Sequence, residues 1–185
     1  MLDLIILAVW LMLPAYIANP AAALLGGGKP IDMGRNFTDK KRILGDGKTI
    51  RGFVLGSSCG TITGFLQVLL APAIAPYLQG YVSEGTLTHI SYVALFTMPI
   101  GALLGDMVKS FFKRRLGFER GAMMPVADQL DFVMGAWILT YLLDGAWFTA
   151  NFSPAIILTV LLITPVLHLA TNFIGFKIGR KDVPW

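Results

Sequence analysis

A chain of 185 residues has room for one domain, and this one is 55% hydrophobic, only 14% charged and of mean hydropathy +0.68. Soluble domains carry about 25% charged residues, so these values exclude an ordinary soluble globule and point to a single integral membrane domain over residues 1–185. The net charge of +4 calls for no nucleic-acid partner, because basic loops beside membrane spans account for it, and the single Cys59 excludes an internal disulfide.

A membrane crossing needs about 20 predominantly apolar residues. In chain order the uncharged runs predict an all-α protein with five transmembrane helices, over about 3–24, 53–77, 88–109, 129–147 and 154–175. The first carries Asp3 and no nearby Lys or Arg, so it is expected to stay as a helix and not to leave as a signal peptide. The loop after it, about 26–52, offers Gly26-Gly27-Gly28, then Gly34-Arg35-Asn36, then Gly45-Asp46-Gly47-Lys48-Thr49-Ile50-Arg51-Gly52. Glycines let backbone N–H groups approach phosphate, and a helix start adds its dipole. Lys48, Thr49 and Arg51 are the expected phosphate ligands, whereas Lys40-Lys41-Arg42 reads as a solvated charge run. Gly47-Lys48-Thr49 is not a P-loop, because Arg42 stands where that motif needs glycine.

Pro99, Gly101 and Gly105 are expected to loosen the end of the third helix. Asp106, Lys109, Ser110 and Lys113 follow at i, i+3, i+4 and i+7, one helix face. A short loop, about 110–128, carries Arg114, Arg115 and Arg120 and leads to Asp128 and Asp131, again i and i+3. The uncharged run 132–143 is too short to cross alone, so the fourth helix must reach back toward Gln129 and forward past Asp144. His89 and His168 have no metal-ligating neighbours at useful spacing and receive no role.

With five spans and the N-terminus outside, all 15 Lys and Arg fall on the side that also holds the C-terminus. Asp3, Glu84, Asp144 and His89 fall on the other. That is the positive-inside pattern without exception, and it assigns the basic side, with both long loops, to the cytoplasm. Dropping the fourth span would put Lys177, Arg180 and Lys181 outside.

The site therefore assembles from the two cytoplasmic loops and the helix ends beside them. Asp106, Asp128 and Asp131 are expected to converge on Mg²⁺, a hard cation that takes carboxylates, and the neighbouring Lys and Arg suit phosphate. Together they predict phosphoryl or nucleotidyl transfer at the membrane surface.

The same residues carry a family resemblance. Gly105-Asp106, Ser110, Lys113-Arg114, Pro125, Asp128 and Asp131 resemble the signature of the CTP:phosphatidate cytidylyltransferases. Only Val126-Ala127 separate Pro125 from Asp128, where the bacterial form has a longer glycine-rich stretch, and Gln129 replaces an Arg. Residues 26–52 look instead like the archaeal branch of that family. The resemblance implies transfer of CMP from CTP to a geranylgeranyl diether glycerol phosphate, with pyrophosphate leaving. It further implies metal at Asp106, Asp128 and Asp131. Lys109, Lys113 and Arg114 would hold the triphosphate, with Lys48, Thr49 and Arg51 on either phosphate; the partners are CTP, a membrane lipid precursor and the bilayer, and a homodimer is admitted. A diacyl phosphatidate acceptor is the alternative within the family. A CDP-alcohol phosphotransferase is disfavoured because Asp46-Gly47 is not followed by Ala-Arg. A transporter is disfavoured because the charges gather at one membrane edge.

Overall fold

The computed structural model of the chain describes residues 1–78, 81, 87, 89–118, 122, 124 and 126–179. Glu84, Arg120, Pro125, Arg180 and Lys181, all invoked above, lie outside the described residues. Among the described residues the fold is all-helical, with two isolated β-bridges and no strand. In order come α1 (Leu2–Leu25), α2 (Ile50–Ile74, continued by a 3-10 turn Ala75–Leu78), α3 (Tyr92–Arg115), α4 (Ala127–Leu143), α5 (Gly145–Asn151) and α6 (Pro154–Lys177). A lipid environment demands helices, since only they satisfy every backbone group within one segment. Short polar residues start them. Thr49, Ser91 and Ser153 cap α2, α3 and α6, each side chain accepting backbone N–H bonds, and Pro154 follows in the first turn of α6.

Among the described residues four helices are long and apolar enough to cross a membrane: α1, α2 with its extension, α3 and α6. The chain is a multi-pass membrane protein. The fourth predicted segment differs from expectation. α4 starts at Ala127 and stops at Leu143, a length of about 25 Å at 1.5 Å per residue, shorter than a hydrocarbon core of about 30 Å. Asp144 ends it, because its carboxylate accepts from Trp147 N–H at 3.2 Å and so begins α5. α3 runs 92–115 instead of 88–109, which shortens the second charged loop to 116–126.

α3 is also not loosened. It continues through Pro99, and its glycines serve packing instead. A Cβ on Gly101 would lie 2.5 Å from the Gly135 carbonyl oxygen, one on Gly105 2.2 Å from that of Asp131, and one on Gly135 2.2 Å from that of Gly101. The backbones of α3 and α4 touch, and the pairing of rising with falling numbers makes them antiparallel. α2 meets α1 similarly: Gly56 abuts Ala18 and Ala22, and Gly60 abuts Pro14. Close approach through small residues is how helices associate where lipid removes the hydrophobic drive.

The core lies where α1 crosses the others. Ala8, Leu11, Met12, Ala15 and Ala18 pack with Met98 and Ala102 of α3, Val133 and Ala136 of α4, and Val160 of α6. Buried hydroxyls pair across it, Tyr16 with Thr164 and Thr97 with Thr140, each at 2.8 Å. The topology thus puts the C-termini of α1 and α3 and the N-termini of α2 and α4 at one end of the bundle. The opposite end is clasped by a hydrogen bond from the Ser91 hydroxyl to Asp144 and by Trp147 Nε1 donating to the His89 carbonyl at 2.9 Å.

Candidate functional site

The charged end is built on the glycine contact between α3 and α4. Because Gly105 lies against the Asp131 backbone, the first turns of α4 are drawn onto the last turns of α3. The stripe of α3 that begins at Asp106 then faces Asp128 and Asp131. Lys109 stands at the centre. Its Nζ is 3.1 Å from Asp106 Oδ1, 3.2 Å from Asp128 Oδ1 and 2.8 Å from Asp131 Oδ2. Lys113 is one turn on, with Nζ donating to Asp128 at 2.8 and 2.9 Å and to the Ala122 carbonyl at 2.6 Å. The Met124 N–H also donates to Asp128, at 2.6 Å. Val126 introduces α4 with φ of +67°, a strained setting for a β-branched residue and typical of functional sites.

The first loop supplies the remaining cation. Segment 29–31 runs beside 48–50, with Ile31 N–H donating to the Lys48 carbonyl at 2.8 Å and Ile50 N–H to the Lys29 carbonyl at 3.1 Å. That pairing presents Lys48 toward α3, where its Nζ donates to Asp106 Oδ2. Three carboxylates thus meet three ammonium groups within one cluster, in side chains 7–25% exposed.

Among the described residues no three metal-ligating side chains close on a common point by themselves. Lys109 holds the place between them. The donor set still suits a hard divalent cation, since it is all carboxylate oxygen on two rigidly joined helices. Asp131 Oδ2 is buried and, although ionically paired with Lys109, makes no hydrogen bond of proper geometry.

A family model described as "CarS-like: CDP-archaeol synthase" matches residues 1–185. The chain belongs to the CDP-archaeol synthase family. A CDP-archaeol synthase of Methanocella arvoryzae is 65% identical over 174 residues, covering 94% of this chain and all of that one. Its counterpart from Methanosarcina mazei is 52% identical over 178 residues with the same coverage. A solved structure described as an intramembrane enzyme for archaeal membrane lipids biosynthesis is 39% identical with a TM-score of 0.68, covering 89% of this chain and 92% of that one. Membership of the family makes the chain an enzyme, a CTP-dependent cytidylyltransferase of archaeal lipid synthesis.

The sequence-predicted residues divide within this cluster. Asp106, Asp128, Asp131, Lys109, Lys113 and Lys48 are brought together. Ser110 is buried and donates to the Asp106 carbonyl at 2.8 Å, a bond internal to α3. Thr49 is buried as well, its hydroxyl accepting from Gly52 N–H at 3.0 Å and Gly27 N–H at 3.2 Å, so it caps α2 and ties the glycine run to it. Gly26 sits where a Cβ would strike the Ala22 carbonyl at 2.4 Å, and Gly27 and Gly28 take φ of +103° and +77° to turn the chain out of α1. Asn36 is exposed and bridged to Arg42, Arg51 is exposed on the first turn of α2, and Arg114 is half-buried near the end of α3.

Two residues were missed. Asp32, with its side chain fully buried, accepts from Gly34, Leu44 and Gly45 N–H at 2.9–3.1 Å and from Arg42 at 2.8 and 3.2 Å. Burial alone would raise its pKa; Arg42 and the three amides outweigh that and hold it well below the usual carboxylate range. Arg115 fastens the same loop to α3. It reaches the Lys41 and Arg42 carbonyls at 3.1 and 2.5 Å, pairs with Asp39 at 2.7 Å and stacks over Phe111 at 4.6 Å. Arg42 belongs to a run that reads as solvated, yet its guanidinium organises the loop.

Proposed function

We propose that the chain transfers CMP from CTP to the phosphate of a geranylgeranyl diether glycerol phosphate, releasing pyrophosphate and leaving CDP-archaeol. The observation that carries this reading is the meeting of Asp106, Asp128 and Asp131 around one lysine ammonium within 3.2 Å, beside Lys48 and Lys113. In the reaction an oxygen of the lipid phosphate attacks the α-phosphorus of CTP, and the bond to the bridging oxygen of the β-phosphate breaks with its electrons going to pyrophosphate. A phosphate monoester is already anionic at neutral pH, so no strong protein base is needed. The task is to hold two polyanions together and to balance charge as it grows on the leaving group.

Lys109, Lys113 and Arg114 would serve the triphosphate and departing pyrophosphate, with Lys48 and Arg51 on either phosphate. Asp106, Asp128 and Asp131 would hold Mg²⁺, which when bound lends positive charge to phosphate oxygens and fixes their geometry. Thr49, Asp32 and Arg115 would act indirectly by fixing the loop that bears Lys48. The lipid tails would lie between helices with the headgroup at the charged end. That end would face the cytoplasm, with five crossings, the N-terminus outside and α4 completed through the segment around Asp144. The absence of Lys and Arg from the opposite end supports this orientation.

The experiment is turnover of radiolabelled CTP by detergent-purified protein, with lipid acceptor and Mg²⁺ each present or omitted. Labelled liponucleotide is expected only with both, and more with diether than with diacyl acceptor. D106N and D131N are expected to insert normally and to lose turnover by at least about 100-fold, in line with removal of charge stabilisation at a transferring phosphate. Wild-type turnover in either variant would sink the metal assignment.

A further inference from the structure

A divalent cation reaching this site meets a cluster whose charge is already balanced. Asp106, Asp128 and Asp131 are matched by Lys48, Lys109 and Lys113. Lys109 differs from its neighbours in touching all three of these carboxylates, from both helices, while of the three Lys48 pairs with Asp106 alone and Lys113 with Asp128 alone. Like carboxylates on touching helices repel strongly when partly shielded from water. A compact ammonium on a flexible four-carbon stem can neutralise them and can also leave without moving the backbone.

We propose that Lys109 is a tethered counter-cation that keeps Asp106, Asp128 and Asp131 assembled until nucleotide and divalent cation arrive, and then turns to the phosphates. The inference rests on the metal assignment above and adds an order to it. A bare divalent ion would bring two positive charges onto a neutral cluster and would have to expel Lys109 into no better partner. A triphosphate supplies that partner, so nucleotide and metal each make room for the other. Coupling of this kind is reciprocal. The buried Asp131 Oδ2, ionically paired but without a proper hydrogen bond, marks the position where the lysine substitutes imperfectly for a cation.

The test uses full-length protein in detergent and Mn²⁺ titration followed by electron paramagnetic resonance, without nucleotide. Wild type and K109R are expected to bind Mn²⁺ equally weakly. K109Q, which removes the counter-cation but keeps a long polar side chain, is expected to bind it at least about tenfold more tightly, within the usual range of coupling between sites. Binding in K109Q no tighter than in wild type would overturn the proposal. A second measurement needs no variant. The wild-type melting temperature is expected to rise with Mg²⁺ and CTP together by more than the sum of the two separate shifts, and additive shifts would overturn the proposal equally. If Mg²⁺ and CTP together leave melting unchanged and D106N still turns over, the metal assignment itself fails and this inference fails with it.

Discussion

Asp32 shows how one side chain can govern a site it does not enter. Its carboxylate gathers Arg42 and the amides of residues 34, 44 and 45, and the residue before it holds the Lys48 backbone. D32N keeps the shape and removes the charge, so it is expected to cost about 2–3 kcal/mol of loop stability, read as faster proteolysis within residues 33–47. The pH dependence has a definite sign. A carboxylate with a depressed folded pKa stabilises fully above its unfolded value and loses that contribution as pH falls toward the folded one. Protection of the wild-type loop is therefore expected to weaken below about pH 4, while D32N shows no such step. The carboxylates of α3 and α4 were legible in the sequence because helical spacing aligns them. Asp32 was not, because its partners lie 2 to 13 residues away along an irregular loop with no period to reveal them.

Among the helices, what could be foreseen was that the five long ones exist; what could not was the short α5 and how closely the long ones touch. Pro99, Gly101 and Gly105 suggest a weakened helix when read alone, and only the partner Gly135 shows that they make room for a neighbour. The end of α4 escaped for a similar reason: Asp144 stops one helix and starts another through a bond to Trp147 that hydropathy does not encode. A Cβ at Gly135 would meet only backbone, the Gly101 carbonyl at 2.2 Å and the Gly105 N and Cα at 2.7 Å. G135A is thus expected to cost about 3 kcal/mol or more and to reduce turnover in whatever protein still folds, since Asp131 sits one turn away. G64A provides the contrast. Its Cβ would approach the Leu95 Cδ2 at 2.6 Å, the movable tip of a side chain, and a loss below about 1 kcal/mol is expected in thermal melting.

At the level of the whole molecule, composition alone announced a membrane protein, and the placement of its cations is the ground for the proposed orientation. The number of crossings was less accessible, because the fourth helix is short and carries acid at both ends. Cysteine labelling in a C59A background would test the orientation. Y77C at the exposed tip beyond α2 is expected to react with a membrane-impermeant maleimide on intact cells, and G47C in the charged loop only after permeabilisation. The reverse pattern would invert the proposed topology.

The joint between α3 and α4 has one more consequence. Where two helices meet through side chains, warming populates new rotamers and the spacing between them relaxes. Here backbone rests on backbone at Gly101, Gly105 and Gly135, so no rotamers exist to be populated. The backbone spacing beneath Asp106 and Asp131 is accordingly expected to stay fixed on warming, leaving only the side chains of the charged cluster free to respond to heat.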